Sequence, residues 1–209
     1  MGSIMTDQIQ TLREDLAFMR EVASDDGRMS PLVGAHFLAA GVIYGLPIVP
    51  VWATLRGYLD LPGPWTSQVS LWSTAVYLPV MAVLIWRGRG EAKPGPSARI
   101  FAAAWSGMGL TTFSILAVIF TAQVKLHEPQ MWQLWTAICF SLYGAAWWGV
   151  SLTPGKGRWR WVAVGSYATA VVNGLLIGGP DVLLGCAFGI LAWLAGPGLV
   201  IMLRAKARA

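Results

Sequence analysis

Six long stretches of the chain consist almost entirely of apolar residues, and this feature limits the possible folds more than any other. A helix needs about 20 apolar residues to cross a hydrocarbon core of ~30 Å. Lipid offers no partner to unpaired backbone groups, so helices are favoured over open strands. The pattern predicts an all-α, polytopic membrane protein with six transmembrane helices. The predicted spans are approximately 31–55, 67–87, 98–122, 132–152, 160–178 and 182–203.

The amino-acid composition indicates the same class of protein. Of the 209 residues, 56% are hydrophobic and 12% are charged, whereas soluble domains average about 25% charged residues. The 12 tryptophans and 24 glycines agree with this class, because Trp favours the bilayer interface and Gly allows close helix packing. We therefore expect contact with membrane lipids. We predict no nucleic-acid partner, although the net charge is +5.

The distribution of Lys and Arg predicts how the chain is oriented in the membrane. The N-terminal tail, the second and fourth loops and the C-terminal tail together hold 13 of the 15 basic residues. The other three loops hold two, Arg56 and Lys125. Because basic segments remain on the cytoplasmic side, this division predicts a multi-pass protein of the bacterial inner membrane. Both termini are then cytoplasmic.

Residues 1–28 are predicted to form a cytoplasmic tail that precedes a membrane domain at 29–209. Within the tail, residues 6–24 contain no Gly or Pro, and apolar side chains recur at spacings of three and four, which predicts an amphipathic helix. Its acidic residues outnumber its basic ones, which disfavours binding to anionic lipid. Two interpretations remain open: the helix packs on the protein's own spans, or it binds a second subunit or a protein partner. The apolar residues are Ile9, Leu12, Leu16, Met19 and Ala23.

His36 is the only Asp, Glu, Lys, Arg or His in the interior of a predicted span. An ionisable residue within the membrane is a candidate functional residue, and histidine can ligate haem or carry a proton. A hydrogen bond to a neighbouring helix is the simpler explanation of its presence, because buried polar groups are usually hydrogen-bonded. His127 is predicted on the opposite side of the membrane, so the two histidines are not expected to share a metal ion or a haem. We predict no cofactor.

The sequence contains none of the familiar catalytic motifs, so we predict that the protein is not an enzyme. It has no P-loop, no H-E-x-x-H, no C-x-x-C and no G-x-S-x-G. It also has no carboxylate within a predicted span, which disfavours an ordinary ion-coupled transporter. Whether Cys139 and Cys186 lie close together cannot be deduced from their positions in the chain.

Polar residues beside glycines and prolines indicate where a ligand pocket is expected. Tyr44 precedes Gly45 and Pro47, and Asn173 precedes Gly174. Glycine allows helices to approach closely and proline bends them, while membrane polar groups turn toward protein or a cavity. We predict a cavity between the first and fifth spans that extends from the middle of the membrane into its periplasmic half. The alternative is a packed interface in which both polar side chains bond to neighbouring helices. The predicted ligand-binding residues are Tyr44, Asn173, Trp193 and His36.

Three functions agree with these patterns. The first is a non-catalytic membrane protein that binds a lipophilic or small uncharged ligand, or a partner protein, within the bilayer. The second is a facilitator or exporter of a small or lipophilic solute. The third is an intramembrane haem or enzyme site around His36. We place them in this order because no coupling residue and no second catalytic group is found in the spans.

Overall fold

The described part of the chain is built from helices and short turns, without a strand. The computed structural model describes Leu16 and residues 29–89, 95–128, 131–153 and 155–207, without the side chains of residues 96 and 97. The helices are α1 (Pro31–Gly45), α2 (Ile48–Leu55), α3 (Gly63–Ser67), α4 (Val69–Gly88), α5 (Pro96–Leu126), α6 (Met131–Ser151), α7 (Arg160–Leu175), α8 (Asp181–Ile190) and α9 (Gly196–Lys206), with a 3-10 turn at Gly157–Trp159 and a π-helical segment at Leu191–Ala195.

Four helical stretches among the described residues are long and apolar enough to cross a membrane. They are Pro31–Leu55, Val69–Gly88, Ala98–Leu126 and Asp181–Lys206, and they contain 25, 20, 29 and 26 residues. A span requires about 20 residues. This finding agrees with the predicted class of an all-helical, membrane-embedded protein.

The two remaining predicted spans are helical but do not meet the same criteria of length and composition. Helix α6 has 21 residues, four of them tryptophans. Helix α7 has 16 residues, which is fewer than a straight crossing of ~30 Å requires. The structure therefore supports four of the six predicted spans on these grounds.

The first span is interrupted by a turn, as its prolines suggest. Ser30 caps α1, because its hydroxyl oxygen accepts a hydrogen bond from Leu32 N at 3.1 Å. Helix α1 ends at Gly45 and α2 begins at Ile48. Pro47, which lies between them, has no N–H to continue the helical hydrogen bonds. The chain thus changes course near the far end of this span.

Close backbone contact joins α1 to the π-helical segment and α9. A Cβ atom added to Gly34 would lie 2.8 Å from the carbonyl oxygen of Gly198, and one added to Gly41 would lie 2.5 Å from the backbone nitrogen of Ala195. Both distances are shorter than a normal van der Waals contact. Glycine is therefore required here, because helices held by small residues can pack without intervening side chains.

A cluster of large buried side chains forms the core at one end of the bundle. Trp147 on α6 is completely buried and stacks on Trp159, with ring centroids 4.9 Å apart. Helix α6 packs along α7, so this cluster lies between the α6–α7 pair and α1. The members of the cluster are Phe37, Phe101, Trp147, Val150, Trp159, Ala163, Leu194 and Ile201.

Helices α4 and α5 lie at the periphery of the bundle and pack on different partners. Helix α4 packs on α1 and α3, whereas α5 packs on α6. In each of these two spans, only 6% of the most apolar 18-residue stretch is buried within the protein. Their outward faces carry large exposed apolar side chains, among them Leu71 and Phe113, as expected for surfaces in contact with lipid. A cleft remains between the two helices.

The predicted amphipathic helix at 6–24 lies outside the described residues, apart from Leu16. Leu16 is helical and its exposed fraction is 63%. The prediction that the apolar side chains of this segment are buried on protein is therefore not decided by the structure.

Candidate ligand-binding cavity

A cavity of about 250 Å³ lies in the cleft between α4 and α5. Its wall combines residues from α1, α4, α5, α6 and the π-helical segment. Among the described residues, the wall contains no carboxylate, lysine or arginine. The lining residues are His36, Phe37, Ala40, Tyr77, Trp105, Tyr143 and Leu194.

A second depression, of about 420 Å³, is lined by residues of α5 alone, from Ala117 to Lys125. A single helix encloses nothing, and ligand sites are formed where several elements converge. We therefore regard the cavity between α4 and α5 as the candidate site.

The imidazole of His36 is oriented by a backbone hydrogen bond. Its Nδ1 lies 3.0 Å from the carbonyl oxygen of Leu32. A carbonyl oxygen only accepts hydrogen bonds, so Nδ1 must carry the proton. In the neutral ring, Nε2 then has a lone pair and acts as an acceptor. His36 therefore contributes a hydrogen-bonding group of defined character to the cavity wall.

Two tyrosines face each other across the cavity from α4 and α6. The ring of Tyr77 packs against Tyr44 at a centroid distance of 5.6 Å, and the ring of Tyr143 packs against Phe140 and Trp105 at 5.8 Å each. Within the described residues, neither hydroxyl makes a hydrogen bond, and neither is among the polar atoms that the fold seals off. A phenolic hydroxyl can donate or accept a hydrogen bond. Both groups are thus open to a ligand.

Edge-to-face aromatic contacts hold one side of the cavity. The ring of Trp105 lies 4.4 Å from that of Phe37 at 71°, and 5.3 Å from that of Trp147 at 76°. Such geometry is favoured by the ring quadrupoles. Trp105 Nε1 is sealed from the cavity and has no hydrogen-bond acceptor among the described residues, which costs about 1–3 kcal/mol. Its ring provides an apolar wall.

The π-helical segment brings Leu194 into the cavity wall. Trp193, its neighbour, donates a hydrogen bond from Nε1 to Thr169 Oγ1 at 2.7 Å and accepts one at its carbonyl oxygen from Trp147 Nε1 at 3.2 Å. These bonds anchor the segment to α6 and α7. π-Helical turns within α-helices occur frequently at functional sites.

The four predicted ligand-binding residues do not share one site. His36 lines the cavity, and Trp193 is adjacent to the lining residue Leu194. The hydroxyl oxygens of Tyr44 and Thr74 lie 3.0 Å apart, and the ring of Tyr44 packs against that of Tyr77. Asn173 is completely buried beside Gly185 on α8. The cavity therefore lies between α1, α4, α5 and α6, and the predicted cavity lined by Tyr44 and Asn173 is not the one described above.

Sequence analysis missed Tyr77, Trp105 and Tyr143. One signal was available for two of them. Aromatic residues recur at helical spacing on α5, as Phe101 and Trp105, and on α6, as Tyr143 and Trp147. Residues four apart share a helix face, so each pair marks a face rich in aromatic rings. Tyr77 has no aromatic residue four positions before or after it, so the sequence gives no such indication for α4.

A polar contact between α2 and α8 lies at the other end of the bundle. The Asp181 carboxylate accepts hydrogen bonds from Trp52 Nε1 at 2.9 Å and from Arg56 Nε at 3.0 Å, and it also pairs with Arg56 Nη2. The hydrogen bond to Asp181 raises the pKa of the Arg56 guanidinium above its ordinary value. This contact joins the short helix α2 to the last span.

No group of three or more His, Cys, Asp and Glu side chains suitable for a metal ion occurs in the described part of the chain. Cys139 and Cys186 are free thiols.

No protein-family model, curated protein or solved structure matches the chain significantly. The function is therefore inferred from the cavity and its surroundings.

Proposed function

We propose that this is a non-catalytic membrane protein that binds a lipophilic or small uncharged ligand in the cavity between α4 and α5. The observation that carries the proposal is a cavity wall of aromatic rings that contains no carboxylate, lysine or arginine and includes three groups able to form hydrogen bonds. Ligand sites are mostly apolar, with a few polar groups that set orientation. The polar groups are His36, Tyr77 and Tyr143.

The proposed protein crosses the bacterial inner membrane six times. Helices α6 and α7 serve as the fourth and fifth spans, because α6 packs along both α5 and α7 within the bundle. The division of basic residues places both termini in the cytoplasm.

This orientation places the cavity in the cytoplasmic half of the membrane. His36 lies five residues after the start of α1, about 8 Å along the helix at ~1.5 Å per residue. Tyr143 lies eight residues before the end of α6, about 12 Å from that end. A lipophilic ligand, which concentrates in the bilayer, would reach a site at this depth from the membrane.

Filling the cavity tests the proposed function. Ala40 lines the cavity on α1, so Ala40→Trp is expected to occupy the space of a ligand. The wild-type protein and the variant are reconstituted in lipid nanodiscs, and bound small molecules are extracted and measured by mass spectrometry. We expect at least one compound in the wild type that falls at least tenfold in the variant.

Ala82→Trp is the matched control, because Ala82 is exposed on the outer side of α4. It should retain the compound. Equal amounts of every extracted compound in wild type, Ala40→Trp and empty nanodiscs would contradict the proposed function, provided that the variants melt at the wild-type temperature.

A further inference from the structure

The open hydrogen-bonding groups of the cavity restrict the chemistry of its ligand. The hydroxyls of Tyr77 and Tyr143 have no partner within the described residues and are not sealed by the fold. Each can donate to an acceptor oxygen. A saturated hydrocarbon would leave both hydroxyls without a partner, and a buried polar group without a partner is unfavourable. The ligand is therefore expected to carry hydrogen-bonding atoms, for which carbonyl and hydroxyl oxygens are suited.

We propose that the ligand is an uncharged amphiphile with a flat ring that bears carbonyl or hydroxyl oxygens, and with an apolar tail, as in the chemical class of alkyl-substituted quinones. The inference rests on the proposed function of the cavity. It specifies the class of molecule that the cavity takes and the route by which that molecule arrives.

The shape of the wall favours a ring. Phe37, Trp105 and Tyr143 present aromatic surfaces that contact one another at centroid distances of 4.4 Å and 5.8 Å. Aromatic rings pack on a flat partner by stacking or by edge-to-face contact. The cavity of about 250 Å³ is smaller than the ~300–1,000 Å³ of typical ligand pockets. It therefore holds a ring head, and a long tail must extend beyond it.

The cleft between α4 and α5 is the route for the tail. The two helices pack on different neighbours, α4 on α1 and α5 on α6. The cavity lies between them, and Tyr77 and Trp105 form its two sides. A tail that passes between the helices reaches the apolar outer surface of the bundle and the lipid beyond it.

The absence of carboxylate and basic side chains from the lining favours an uncharged head. A fatty acid or phospholipid head would bring an anion, and a buried anion requires a positive partner. Within the cavity wall, His36 is the one residue that can become positive. Its Nδ1 proton is already donated to Leu32 O, so neutral His36 presents only the Nε2 acceptor and offers no donor to an anionic head.

Binding of decylubiquinone provides the test. The protein is reconstituted in phosphatidylcholine nanodiscs, and quenching of tryptophan fluorescence is followed as the quinone is added. Decylbenzene, which has the same tail and an oxygen-free ring, is used as the competitor. We expect saturable quenching, with decylbenzene binding at least tenfold more weakly. Tyr77→Phe and Tyr143→Phe retain the rings and remove one hydroxyl each, so each is expected to raise the Kd for the quinone about threefold to tenfold.

Tyr58→Phe is the matched control, since Tyr58 is 72% exposed and lies after α2, outside the cavity. It should bind the quinone with the wild-type Kd. Melting temperatures of all variants are recorded, so that loss of folding is separated from loss of binding; if a single variant fails to fold, the other decides the result.

Three negative results have different meanings. In the first, decylbenzene competes for the site at the same concentrations at which the quinone binds, and neither Tyr→Phe change alters the Kd. This result would overturn the proposed ligand class and leave the proposed function standing. No saturable quinone binding, together with a cavity-filling Ala40→Trp variant that retains every extracted compound, would overturn both. No saturable quinone binding with a compound lost from Ala40→Trp would overturn the ligand class alone.

Discussion

Asn173 is enclosed at the contact between α7 and α8, and neither its Nδ2 nor its Oδ1 has a hydrogen-bond partner among the described residues. Its Oδ1 lies against Gly185, where a Cβ atom would collide with it. The small size of Gly185 is therefore what admits the amide. At this position a buried polar residue is accommodated by its neighbour's lack of a side chain.

A double-mutant cycle tests this pairing. Gly185→Ala is expected to lower the free energy of unfolding by about 1–3 kcal/mol, because the added methyl group forces the buried amide to move. In an Asn173→Ala background the amide is absent, and the same substitution should cost little. Reversible unfolding in mixed detergent micelles measures the coupling.

Gly174→Ala is the control for this cycle, since a Cβ atom there meets no other atom within 4 Å. It should be neutral or stabilising by up to ~1 kcal/mol, because alanine favours a helix more than glycine. An equal cost of Gly185→Ala in both backgrounds would show that Asn173 does not oppose the methyl group.

The Arg56–Asp181 pair is exposed, with 41% and 37% of the two side chains accessible. Exposed ion pairs contribute about 0–1 kcal/mol. Asp181→Asn retains the shape and removes the charge, so we expect a loss of at most ~1 kcal/mol that disappears in 1 M salt. Asp60→Asn, at another exposed position of the same predicted side, is expected to change nothing. A loss above 2 kcal/mol, measured by the same unfolding assay, would mean that the contact with Trp52 also depends on the charge.

At the scale of elements, the contact of α1 with the π-helical segment holds the first and the last spans of the chain together. The backbone of Ala195 lies against Gly41, and Leu191 lies against Gly45. This contact also sets the position of Leu194 in the cavity wall. Packing between α1 and the last span thus supports both the bundle and the candidate site.

Gly41→Ala tests the contact between these elements. The added Cβ atom would meet backbone atoms of Ala195 at 2.5 Å, and a backbone cannot move aside as a side chain does. We expect a loss of about 1–3 kcal/mol in the free energy of unfolding. Gly107→Ala on α5, where a Cβ atom meets nothing within 4 Å, should be neutral or slightly stabilising. Equal melting temperatures for the two variants would contradict the close packing of α1 on the π-helical segment.

At the scale of the whole molecule, the proposed six-span arrangement makes a prediction about sidedness. A reporter that is active only in the cytoplasm is fused after Ala209, and the same reporter is inserted between Leu126 and Met131. We expect activity from the C-terminal fusion and none from the loop insertion, because the loop carries Lys125 alone while the tail is basic. A second reporter that is active only outside the cytoplasm should give the reverse result. Activity of the first reporter at both sites would exclude an odd number of spans between them, and with it the proposed arrangement.

Much of the helical framework could be predicted from the sequence. A helix occupies each of the six predicted ranges, although α5 runs from Pro96 to Leu126, beyond the predicted 98–122. The four spans that the structure supports are those whose apolar character is continuous. Helices α6 and α7 do not meet the same criteria, and α7 has only 16 residues.

The candidate site was predicted only in part. His36 was singled out because a histidine within a span is conspicuous, and it lines the cavity. Tyr44 and Asn173 were grouped because both lie beside glycines, yet they contact different helices. The position of a residue in the chain does not determine how its helix is rotated about its own axis. Successive side chains differ in direction by about 100°, because a helix has 3.6 residues per turn.

The sequence by itself determined the class of the protein and the places of its helices, because run length and apolar content are properties of continuous segments. The meeting of His36, Tyr77, Trp105 and Tyr143 was decided by the tertiary structure alone. These residues come from four helices, and their convergence depends on the rotation of each helix and on which pairs pack. Helix packing depends on the fit of side chains on both partners, so no single segment contains the information that creates the cavity.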